Sequence, residues 1–406
     1  MSAAVDLAVP PLAVLNERAS AKWSSQEDGV LAMTIAEMDF PLAPPVVGVL
    51  RAAIERDDLG YAPADPAGCK RALAGFAERR LGWSPDPDQV AIVPDVITAV
   101  IVLCEALLRR GETIAMATPA YPPFFSILPR AGLEIAELPL DAEGELELAA
   151  LEAALDAGAR GLLLVNPHNP SGAVAGREHL ARVAELCAER EAWVLADEIH
   201  APLVLPGATH TPWLEVSDAA REFGFCLTSA SKAFNLAGLK SAQIVTAAER
   251  TRAVLDRLPP LASAAGILGT LAAEAAFAEG DEWLGAVLGQ LDANRAQLGD
   301  ELAAKLPGVR WSEPAGTYLA WLDFRGLGLG DDPAAVLLER GRVALSSGPT
   351  YGSGGAGFAR LNFATGPELL REGVDRIAAA VSELGEDETE DRADVGGEQR
   401  YDGDDQ

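Results

Sequence analysis

From about residue 88 to residue 250 the chain alternates two kinds of segment: short runs that are mostly apolar, and longer stretches whose apolar residues recur every three or four. No other feature restricts the fold as much. The runs "QVAIV" (89–93), "ETIAMA" (112–117), "EIAELPL", "GLLLV" (161–165), "AWVLA" (192–196) and "GFCL" are too short for helices and read as strands. Between them, "TAVIVLCEALLRR" (98–110), "LELAALEAALDAG" and "REHLARVAELCAERE" read as helices. A strand that is apolar throughout has to be covered on both faces, so the alternation predicts an α/β fold with a mostly parallel sheet between helix layers. Beyond about residue 285 a helix (283–305), the shorter strands "YLAWLDF", "RVALSS" and "FARLNFA", and a last helix over 367–384 predict a smaller α+β domain. The expected division is 49–285 for the large domain and 286–384 for the small one, with 1–48 packing on the small one. Residues 385–406 hold ten acids, two arginines and almost no apolar side chain, and are expected to be a disordered tail.

In open α/β sheets, ligands bind beyond the carboxyl ends of the strands. The segments that follow the apolar runs are "NPHNPSG" (166–172), "DEIH" (197–200), "TSASK" (228–232) and, opening a helix, "PDVITAV" (94–100). Taken alone, Asp197 reads as a helix cap and Lys232 as a solvated charge. Together they match one cofactor. Pyridoxal phosphate needs an amine for its Schiff base, a carboxylate for its pyridinium nitrogen and a cradle for its phosphate. The amides of Val96 and Ile97 at a helix start, the hydroxyls of Ser229 and Ser231, and the Lys240 ammonium can supply that cradle.

The segments "NPHNPSG", "ADEIH" and "SASKAFNLAGLK" resemble the motifs of fold-type I pyridoxal-phosphate enzymes of the class I/II aminotransferase family. The finer resemblance is to the MalY/PatB group of cystathionine β-lyases, or C–S lyases, through "AEMDFPLAPPV", "GYAP" (60–63), "TPAYPPF" (118–124), "GTYLAWLDFR" (316–325) and "RLNFA" (360–364). It implies an aspartate-aminotransferase-like fold with a seven-stranded sheet. It also implies that Lys232 carries the cofactor and acts as base, and that Asp197 pairs with the ring nitrogen. Asn169 would bond the phenolic oxygen, with His200 where many relatives have a tyrosine, and Tyr121 would stack on the ring. Arg360, with Ala36 and Asn169 beside it, would hold the substrate carboxylate. Tyr61 would reach the phosphate in the neighbouring subunit of a homodimer. Lys240 stands where many aminotransferases have an arginine, and Thr34 replaces a bulky aromatic residue, which leaves substrate choice open.

The activity the resemblance implies is β-elimination from cystathionine or a related cysteine S-conjugate. Transamination by the same residues is the alternative. The formal charge of −29 argues against nucleic acid and anionic membranes as partners. Cys69, Cys104, Cys187 and Cys226 have no metal-ligand spacing and read as buried thiols of a cytoplasmic protein, and no membrane span or signal peptide is expected. The match of "GSGGAG" (352–357) to a dinucleotide fingerprint fails on context, because it precedes a strand instead of opening a helix.

Overall fold

The computed structural model describes residues 5–63 and 65–395. The central sheet contains β1 (Val90–Val93), β2 (Thr113–Thr118), β3 (Glu134–Pro139), β4 (Gly161–Val165), β5 (Trp193–Asp197), β6 (Gly224–Thr228) and β7 (Ala242–Val245). Their order is β1-β7-β6-β5-β4-β2-β3. Side chains alternate between the faces, as a strand period of two requires. Leu162, Leu164, Val194, Ala196 and Cys226 enter the core on one face, and Leu163, Leu195, Phe225 and Leu227 enter the core on the other. Each fully buried leucine contributes roughly 1.5–3 kcal/mol, which is why the inner positions of these central strands are apolar.

Strands β2 to β6 are parallel, but β7 runs antiparallel to both its neighbours. At four residues with a central glutamine, β7 carries no clear apolar signal. Its reversal matters for the site. Thr228 pairs with Gln243 and Val93 with Ala242, so the residues just before β7 lie at the edge where β1 and β6 end.

A second, antiparallel sheet contains β8 (Arg310–Trp311), β9 (Leu319–Asp323), β10 (Ser346–Ser347) and β11 (Phe358–Asn362), ordered β10-β11-β9-β8. The stretch "RVALSS" is not one strand. Val343–Ala344 pair in parallel with Leu31–Ala32, and only Ser346–Ser347 join β11. An unbroken helix, Asp281–Lys305, carries the chain from one sheet towards the other, so the expected division near residue 285 falls inside a helix and not in a linker.

The last helix, Pro367–Val395, runs past residue 384, where the acidic tail is expected to begin. Glutamate, arginine and alanine favour helix, and elongation from turns already packed needs no new nucleus. Residues 396–406 of the expected tail lie outside the described residues. Among those described, no helix is long and apolar enough to cross a membrane.

The segment 31–39 crosses between the sheets and is pinned by a buried ion pair. Lys22 Nζ lies 2.9 Å from Asp39 Oδ2, both side chains are 1% exposed, and Trp23 Nε1 donates to Asp39 Oδ1 at 3.0 Å. Removing one partner strands the other charge. Asp39→Ala is expected to cost about 3–5 kcal/mol in denaturant unfolding. The double variant Lys22→Met/Asp39→Leu should recover much of that loss.

Candidate active site

A cavity of about 460 Å³ opens at the carboxyl edge of the large sheet, closed on one side by Ile35 and Ala36 of the crossing segment. Apolar strands of the large sheet end here, so the polar side chains reach the cavity from the strand ends, the segments that follow them and the second sheet. Asp197 is the last residue of β5, and its Oδ1 accepts the Ile199 N–H at 3.1 Å. Lys232 sits in a single helical turn, Ala230–Ala233, that follows β6 and is capped by Ser229. Its Nζ donates to the Ala36 carbonyl at 3.0 Å. Arg360 projects from β11 of the other sheet, donating to Asn169 Oδ1 at 3.0 Å, the Thr34 carbonyl at 2.9 Å and Ser346 Oγ at 3.2 Å. Its Nε and the Nδ1 of His200 are buried without a partner.

Burial sets the protonation states. It raises Asp197 to about 7, against the Ile199 N–H and the Lys232 charge. Burial, with Arg360 second, lowers Lys232 to about 8. Burial and the two cations push His200 well below its ordinary value, so its imidazole is neutral at pH 7. Tyr121 lines the cavity, edge-on to Phe124.

At the opposite end lies the helix Val96–Leu107. Its N-cap, Asp95, accepts the Thr98 N–H through Oδ1 at 2.7 Å, and Ala99 N–H bonds the Asp95 carbonyl. The amides of Val96 and Ile97 have no partner among the described residues and belong to the cavity wall, with Ser231 and Lys240. Such a helix start favours an anion.

Of the residues singled out from sequence, Ala36, Val96, Ile97, Tyr121, Asn169, Asp197, His200, Ser231, Lys232, Lys240 and Arg360 meet in this one cavity. Ser229 stands behind it. Its hydroxyl donates to the Ser241 carbonyl at 2.7 Å and lies 2.6 Å from Ser231 Oγ. Tyr61 lies outside, fully exposed. Sequence reasoning missed Ile35, Asp95, Pro122, Pro123, Ser346, Thr350 and Tyr351. Ser346 faces Arg360 across β10 and β11, a contact that only strand register reveals. Tyr318 donates to the Ala36 carbonyl at 2.9 Å and meets the His200 ring edge-on.

Thus a lysine, a carboxylate and a guanidinium from three separate elements converge beside an anion-ready helix start. The sequence profile of the family described as aminotransferase class I and II matches residues 29–377. The chain belongs to this family. Within it, the chain is 38% identical over 375 residues to a cystathionine beta-lyase of Corynebacterium glutamicum, covering 92% of this chain and 99% of that one. It is 33% identical to the cystathionine beta-lyase PatB of Bacillus subtilis, over 89% of this chain and 97% of that one. Cystalysin from Treponema denticola, whose crystal structure contains pyridoxal 5'-phosphate, superposes with a TM-score of 0.85 at 25% identity, over 90% of this chain and 96% of that one. The aspartate-aminotransferase-like fold follows from these likenesses and from the mostly parallel seven-stranded sheet.

In cofactor-stripped protein Lys232 should therefore react with an amine-directed reagent with a half-maximal rate near pH 8, rising with pH as the ammonium loses its proton. An ordinary lysine follows at about 10.4. Peptide mass spectrometry of samples labelled across the pH range tests this.

Proposed function

We propose that the protein is a pyridoxal-phosphate-dependent C–S β-lyase, converting a cysteine S-conjugate such as cystathionine, plus water, into a thiol, pyruvate and ammonia. The observation that carries this reading is the joining of Lys232, Asp197 and Arg360 in one cavity beside the free amides of Val96 and Ile97. The names of the C. glutamicum and B. subtilis relatives support the elimination chemistry.

The residues present fit the cofactor. Asp197 is a buried carboxylate with no ion pair among the described residues, and a protonated ring nitrogen would give it the cation it lacks. Asn169 and the unpartnered Nδ1 of His200 suit the phenolic oxygen, and Tyr121 suits a ring face. Val96, Ile97, Ser231 and Lys240 would hold the phosphate, with Ser229 fixing Ser231. Bound pyridoxal phosphate supplies an electron sink for the pair left on Cα when its proton departs.

The remaining steps belong to the chain. Arg360 binds the α-carboxylate through its fork, turning Nε to a partner while Asn169 keeps the guanidinium in plane. Lys232, brought towards neutrality by burial, takes the Cα proton. A Cα=Cβ double bond then forms as the Cβ–S bond breaks with its electron pair leaving on sulfur, a proton converts the thiolate to the thiol, and water hydrolyses the released aminoacrylate to pyruvate and ammonia. Arg360 is the one guanidinium lining the cavity among the described residues, which disfavours a dicarboxylate substrate of aspartate-type transamination.

We place Tyr61 in the second active site of a homodimer. Its full exposure beside the exposed Ile54 and Leu59 supports a covered surface there. The buried free thiols suit a cytoplasmic enzyme.

Incubation with cystathionine or an S-alkylcysteine should release thiol and pyruvate in equal amounts without added 2-oxo acid. A strict requirement for a 2-oxo acid would establish transamination instead. Arg360→Lys should lower kcat/KM by about ten- to hundredfold, mainly through KM, because a point charge replaces a fork.

A further inference from the structure

The phosphate end of the cavity contains an unexpected carboxylate. Lys240, the only cation at that end among the described residues, is already engaged, with its Nζ 2.9 Å from Asp95 Oδ2. Asp95 Oδ1 caps the helix Val96–Leu107 through Thr98 N–H, so the carboxylate is used at both oxygens. Burial pushes the Asp95 pKa up, but the Thr98 N–H and Lys240 outweigh it and hold the pKa below the ordinary value. Asp95 is therefore an anion at the place where the proposed cofactor presents its phosphate.

Capping does not require that charge, because asparagine caps a helix as well as aspartate. An anion beside a second anion costs binding energy at this range, where screening by solvent is incomplete. What the Asp95 charge does provide is a seat for Lys240. The Lys240 side chain is 59% exposed, and among the described residues Asp95 is the partner its ammonium has. Lys232 and Arg360 share the same cavity, and a third cation without a counter-charge would be repelled.

We propose that Asp95 is a placeholder anion that seats Lys240 over the cradle and then competes with the cofactor phosphate for it. Loading is then an exchange of partners by Lys240. The Asp95 charge weakens cofactor binding relative to what the amides, Ser231 and an uncommitted lysine would give. This rests on the pyridoxal-phosphate reading above.

The test is the equilibrium affinity of cofactor-stripped protein for pyridoxal phosphate, followed by absorbance and tryptophan fluorescence, with pyridoxal as the probe lacking phosphate. Asp95→Asn keeps the cap and is expected to tighten pyridoxal phosphate by about five- to tenfold while leaving pyridoxal unchanged. Asp95→Ser, also a capping residue, should act in the same direction. Lys240→Met should weaken pyridoxal phosphate, and by a larger factor in the Asp95→Asn background, where the lysine is no longer shared. Weaker or unchanged affinity in both Asp95 variants overturns the proposal, as does an equal change for pyridoxal. Failure of the unaltered protein to bind pyridoxal phosphate at all would remove the cofactor reading itself, and the placeholder role with it.

Discussion

The cavity exists because a stretch of chain with no sheet to join is held in place by side chains. Residues 34–39 expose their backbone groups at the junction of the two sheets, where unpaired carbonyls would be costly. Side chains meet the carbonyls of residues 34–38. Arg360 takes the Thr34 carbonyl, Asn362 takes those of Ile35 and Glu37, and Lys232 with Tyr318 takes that of Ala36. Asn235 bonds both the N–H and the carbonyl of Met38. The groups proposed for chemistry are thus also part of the scaffold. Lys232 and Arg360 are oriented by the same strap that walls the substrate space.

The electrostatics follow from burial more than from net charge. The chain is strongly acidic, yet the cavity collects Lys232, Lys240 and Arg360 from three elements. Low polarity brings Lys232 down and Asp197 up, so the lysine and carboxylate approach each other in proton affinity. A base and a charged partner at near-neutral pH are what proton abstraction next to a carboxylate requires.

Much of this was legible in the sequence, because the sheet's carboxyl edge turns strand ends into site positions. Asp197 follows an apolar run directly, Asn169 and Lys232 lie in the short polar segments after two others, and Val96 and Ile97 open a helix after β1. Lys22–Asp39 and Ser346–Arg360 were not legible, since each joins residues that only tertiary register brings together. The reversed strand β7 escaped for a different reason: four residues with one buried glutamine give no periodicity to read. The last helix ran past its expected end because local propensity extended it where composition alone suggested disorder.

The reversal of β7 fixes how far apart the two lysines can be. Residues 229–241 leave β6 and return on the adjacent β7, so both ends of this loop are tied to neighbouring strands at one edge of the sheet. Closing so short a loop costs little entropy, and most of that cost is met by the sheet itself. The separation of Lys232 from Lys240 is therefore set by the count of residues between two anchored strands. A one-residue insertion there would shift one ammonium against the other, whereas an insertion in a loop tied at only one strand could be absorbed outward.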